Sequence, residues 1–119
     1  MLKREKDVSE KVDALVESIK ASNIYNNYLL QKSRVEKEPE LKKKIDDFRR
    51  ENFEVQQNYQ GAELDNKIEE FEMRYASFRQ NPLVDQFFSA ELAFCRMMQE
   101  IYTKITAEVD FDMELTGGK

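Results

Sequence analysis

Histidine and tryptophan are both absent from this chain, and cysteine occurs once. Without histidine the commonest general acid/base and the commonest metal ligand are missing together, so catalysis would have to rest on carboxylates. A single cysteine, Cys95, leaves no intrachain disulfide. Only three glycines and two prolines punctuate the 119 residues, which implies few turns and long elements. No window approaches the ~18 apolar residues that a membrane span needs. The N-terminal Met1, Leu2, Lys3, Arg4 and Glu5 lead into charged sequence rather than an apolar leader, so we expect no secretion and a cytoplasmic location. Glycine-rich phosphate loops, CxxC pairs and HExxH strings are also missing.

What is present is charge and hydrophobicity in helical proportion: 36% charged and 40% hydrophobic residues, a balance typical of bundles and coiled coils. The formal charge of -5 argues against a chain whose main task is to neutralise phosphates or an anionic membrane. We therefore expect one all-α domain over residues 1–109, a helical bundle with a charged antiparallel hairpin and a long apolar C-terminal helix. An acidic, glycine-containing flexible tail is expected over 110–119.

Apolar spacing gives the elements. Val8, Val12, Leu15 and Ile19 alternate steps of four and three, which puts them on one face of a first helix. Ser22 or Asn23 can end it and cap a second helix carrying Ile24, Tyr25, Tyr28 and Leu29 inward. Pro39, flanked by Glu38 and Glu40, suits the first turn of a third helix. Its register runs Leu41, Ile45, Phe48, Asn52, Val55 and Tyr59. Asn52 occupies a slot otherwise apolar: either it fixes register within a seam, or it lies at the wet edge while Phe53 joins the core. Gly61 marks a turn, after which Leu64, Ile68, Phe71, Tyr75 and Phe78 repeat the register on a fourth helix. The basic Lys42, Lys43, Lys44, Arg49 and Arg50 would then face the acidic Glu63, Asp65, Glu69, Glu70 and Glu72 across the hairpin.

Asn81 and Pro82 open a last helix running to about Val109. It carries two stripes, Leu83, Phe87, Ala90, Phe94, Met97 and Ile101 on one, and Val84, Phe88, Cys95, Met98, Tyr102, Ile105 and Val109 beside it. So wide an arc suits a central helix or a surface shared with a second chain. Leu83, Phe87, Phe88, Phe94, Met97, Met98 and Ile101 are the candidate interface residues. Cys95, set among apolar neighbours, reads as a small core hydrophobe, with a redox or cluster-ligand role as the alternative. The five cations from Lys42 to Arg50 form a candidate partner or RNA face, although Asp46 and Asp47 interrupt it. The carboxylates read as a solvated face rather than a catalytic pair, and no catalytic residue, metal site or cofactor is assigned.

Several strings resemble the YlbF/YmcA family, small helical regulators first associated with control of competence in Gram-positive bacteria. They are Glu38-Pro39-Glu40-Leu41 leading into Lys44-Ile45-Asp46-Asp47-Phe48-Arg49, then Glu54-Val55-Gln56, and Asn81-Pro82-Leu83-Val84 opening a helix that contains Ala90-Glu91-Leu92. The resemblance covers most of the chain. It implies an all-helical, commonly dimeric protein without enzymatic activity. It also implies membership of a multi-subunit complex influencing ribonuclease Y, mRNA maturation, competence, sporulation and biofilm formation. The family has been linked to iron–sulfur clusters held by cysteines, some near the C-terminus. Here no cysteine follows Cys95, so a shared cluster through Cys95 is not expected. A homo-oligomer, most simply a dimer, is the expected assembly, with no membrane or nucleic-acid partner.

Overall fold

A computed structural model describes residues 5–109; the tail expected at 110–119 lies outside the described residues. Six helices follow one another: α1 (Lys6–Ala21), α2 (Asn23–Glu36), α3 (Pro39–Asn58), α4 (Gly61–Arg74), α5 (Ala76–Arg79) and α6 (Pro82–Glu108). No strand occurs among the described residues, and the all-α class holds.

Local chemistry sets the boundaries. Ser22 leaves the helical region (ψ 149°), and its Oγ serves both neighbours, donating to the Ile19 carbonyl at 2.7 Å and accepting from the Tyr25 N–H at 3.1 Å. One side chain thus closes α1 and caps α2. Pro39 takes the first turn of α3, and Asn81 caps α6 by accepting from the Leu83 N–H at 2.9 Å. Gly61 behaves differently from the sequence expectation. Instead of closing α3 in a left-handed cap, it opens α4 at φ +58°, and α3 has already ended at Asn58 with Tyr59 extended. The fourth apolar register also divides. Tyr75 leaves helical geometry (φ -103°, ψ 9°) between α4 and α5, its ring held against Phe48, Phe71 and Phe78.

Two antiparallel pairs organise the chain. In the first, α2 lies along the N-terminal half of α6, with Tyr25 and Tyr28 against Phe94 and Arg34 hydrogen-bonded to Gln86 at 2.9 Å. In the second, α3 and α4 form the expected hairpin, with Phe48 against Phe71 and Glu51 against Arg74. The core sits where these pairs meet, built from Val35, Ile45, Phe71, Tyr75, Phe78, Val84 and Phe87, with Tyr28, Leu41, Phe48 and Phe88 packed on it.

The body is a slab of 52 × 37 × 20 Å, and its thickness is only about two helix diameters of ~10–12 Å. Its radius of gyration, 18.9 Å, well exceeds the ~13 Å of a compact domain of this length. Apolar faces pointing out of a two-layer slab have nothing of their own to lie against. α1 buries no residue at all, although Val8, Val12, Leu15 and Ile19 share one face of it as the spacing predicts. α6 is long, at 27 residues, but it is one-sided rather than apolar, because Arg96, Gln99, Glu100, Thr103 and Lys104 fill an exposed polar face. On α3, Asn52 is exposed, and so is Phe53 at 64%, which therefore does not join the core.

Candidate interaction surface

The two stripes of α6 meet different fates. Along the first, Phe87 and Ala90 are buried, and Phe94 lies tilted against Tyr25 and stacked on Tyr28, with centroids 5.2 and 5.3 Å apart. Leu83, Met97 and Ile101 on the same stripe are half-buried. Phe87 therefore gives its surface to the chain's own core rather than to a partner. The second stripe starts inside, with Val84 fully buried and Phe88 packed on the core. Beyond Phe88 the same face emerges: Leu92, Cys95, Met98, Tyr102, Ile105 and Val109 are all exposed. Of the seven candidate interface residues, Met98 alone lies on this open stretch. Its neighbours Tyr102, Ile105 and Val109 carry the same three-and-four spacing, the signal by which the sequence could have included them. On α1 a second open face presents Val8, Val12, Leu15 and Val16.

The basic segment does not form one free patch. Lys42 pairs with Asp46 and Lys43 with Asp47, each at 3.3 Å and one helical turn on, and Arg50 reaches Asp47 at 3.0 Å. Hydrogen bonds from Arg50 and then Lys43 hold the Asp47 carboxyl below its usual range. Arg49 turns away from the other cations to α6, gripping both carboxylate oxygens of Glu91 at 2.6 and 2.7 Å while lying over the Phe87 and Phe88 rings. Both bonds come from the one Nη2 nitrogen, and with the ring contacts they tie α3 to α6. Lys44 is exposed.

Nor does the hairpin pair its charges as the composition of its two helices suggests. Arg74 of α4 donates to Glu51 of α3 at 2.6 Å, the reverse polarity, because Glu51 and Arg74 flank the aromatic seam while the lysines face outward. The Tyr75 hydroxyl donates to the other Glu51 oxygen. Burial, then this hydrogen bond, pushes the Tyr75 phenol up to about 12, and the bonds from Tyr75 and Arg74 hold Glu51 below its usual range.

Cys95 is exposed, against the expectation of core packing; the helix turns it past the buried Phe87 and Ala90 into the open stripe. It shares an open groove of about 320 Å³ with Phe48, Arg49, Arg79, Phe88, Glu91 and Leu92. Among the described residues no three Cys, Asp or Glu side chains converge as metal ligands would, and no helix is long and apolar enough to cross a membrane.

The sequence model of the family described as control of competence regulator ComK, YlbF/YmcA, matches residues 8–110. The chain belongs to the YlbF/YmcA family. Within it, this member is similar to a UPF0342 protein of Caldicellulosiruptor bescii, 28% identical over 105 residues that span 87% of this chain and 88% of the relative. A UPF0342 protein of Caldicellulosiruptor saccharolyticus is 26% identical over the same shares. One from Desulfitobacterium hafniense is 29% identical over 109 residues, 89% of this chain and 86% of the relative. No solved structure matches the chain significantly. The family description makes this YlbF/YmcA member a relative of competence regulators, in keeping with the helical, histidine-free chemistry of the fold.

Proposed function

We propose that this YlbF/YmcA member is a non-enzymatic, cytoplasmic adaptor that acts by binding other protein chains. One partner is a second copy of itself. Another is a component of ribonuclease Y-dependent mRNA processing, through which the protein influences competence, sporulation and biofilm development. The observation that carries this reading is the open apolar face of α6 from Leu92 to Val109, matched by the uncovered face of α1. Two open apolar faces on one small chain mark surfaces suited to contact with other protein chains.

The chemistry of the side chains supports the non-enzymatic half. Glu51, Arg74 and Tyr75 form the most perturbed cluster, yet they satisfy one another within the hairpin, and Tyr75 is buried. The basic face is occupied largely by its own carboxylates, which favours a protein partner over RNA. Sedimentation equilibrium at tens of micromolar should give a dimer, and a strict monomer would remove the self-association half. Affinity capture from the native host should recover a component of RNA decay; capture of none would send the regulatory role to a different pathway.

A further inference from the structure

The self-association reading leaves open which surfaces meet, and three features of the chain narrow that choice. First, α1 is a 16-residue helix with no buried residue. Helices of about this length are marginal in water without tertiary packing, so its apolar face needs a cover that its own chain does not supply. Second, the open stretch of α6 is long enough to seat that face: Val8 to Val16 span a rise of ~12 Å, and the steps from Leu92 to Val109 rise ~26 Å. Third, each face is small alone. Val8, Val12, Leu15 and Val16 with Leu92, Met98, Tyr102, Ile105 and Val109 are each 37–57% exposed. At those exposures the nine residues offer together on the order of 700 Å², close to the ~800 Å² per partner of a standard interface.

We propose, on the basis of that self-association, that α1 of one copy lies along the open α6 stripe of a second copy, and reciprocally. A two-fold axis makes each patch meet its complement twice. Both open faces of both chains are then covered in one step, whereas an unrelated partner seated on either face would leave the other bare. Ser22, the single extended residue between α1 and α2, is the joint about which α1 is set for this contact.

Cys95 provides a built-in reporter, because it is exposed on the α6 stripe. Val8→Cys, Val12→Cys and Val16→Cys sample the length of the α1 face, each in the full chain with the native thiol retained. Under mild oxidation at least one variant should form a covalent dimer in which peptide mapping joins α1 of one chain to Cys95 of the other, since a bridge requires Cα atoms within about 7 Å. Adding Cys95→Ser should abolish that species. A sedimenting dimer that yields no α1–Cys95 link between chains, or yields the link only within one chain, overturns the placement while sparing self-association. A monomer overturns self-association itself. Independently, Val12→Asp should weaken the dimer at least tenfold without loss of helical circular dichroism, because Val12 is 41% exposed and belongs to no buried core of its own chain; an unchanged dissociation constant overturns the proposal.

Discussion

Replacing Phe48 with alanine should separate what holds the slab together from what merely decorates it. The ring of Phe48 lies 5.0 Å from Phe71, 5.1 Å from Tyr75 and 5.6 Å from both Phe78 and Phe88, with Arg79 over its face at 5.6 Å. It therefore joins α3 to α4, α5 and α6 at one point. A buried Phe→Ala change costs ~3–5 kcal/mol, and because Phe48 is half-buried rather than sealed we take the lower end, ~3 kcal/mol. In a domain whose total stability is of order 5–15 kcal/mol this is a large share. Urea unfolding followed by circular dichroism should show a midpoint lowered by roughly 1–2 M at constant m, and heating a Tm lowered by about 10–15 °C. The internal control is Phe53, five positions on along the same helix and 64% exposed. Phe53→Ala should stay within ~0.5 kcal/mol of the parent. A Phe48→Ala loss below ~1 kcal/mol, or equal losses at both positions, would refute the view that the aromatic cluster is the structural hub.

Other perturbations bear on separate links. Tyr75 should ionise late: with its phenol raised from 10.0 to about 12, its contribution is complete below pH ~10 and lost as pH rises toward 12. An ultraviolet titration checks this, and Tyr75→Phe should remove the late component. Glu51 has the opposite sign, its carboxyl being lowered from 4.5; its contribution is present above that value and lost as pH falls through the lowered one, so Glu51→Gln should flatten the acid limb of the stability curve. A double-mutant cycle on Arg49 and Glu91, whose side chains are 45% and 30% exposed, should give a coupling of no more than ~1 kcal/mol. Arg49→Ala should nevertheless cost more than Glu91→Gln, because it also uncovers the Phe87 and Phe88 rings. Gly61→Ala should destabilise by ~1–2 kcal/mol, since φ is +58° and a Cβ there meets nothing that would compensate or clash; a neutral result would show that the turn can relax.

The helices were readable from periodicity because burial on one face and charge on the other leave a trace at every third or fourth residue. Capping chemistry at Ser22, Pro39 and Asn81-Pro82 fixed most of their starts. The hairpin was equally legible, since two matched registers flank one glycine. Its charge pairing was not: net charge per helix says nothing about which side chain stands beside the seam, and there Glu51 and Arg74 reverse the polarity that the composition implied. The same limit applies to Phe48 and Phe53, alike in type and opposite in burial.

For the interaction surface the division is sharper. The sequence by itself determined that α6 has two apolar stripes and that α1 has one, because helical geometry places residues on faces whatever they pack against. Only the tertiary structure decided which of those faces the chain covers. The rings of α2 meet α6 at Phe87 and Phe94, and α1 buries none of its own residues, so Phe87 goes to the core while Cys95 and Tyr102 reach solvent. Burial depends on what lies opposite a residue across space, and a periodic pattern carries no information about which neighbour arrives there.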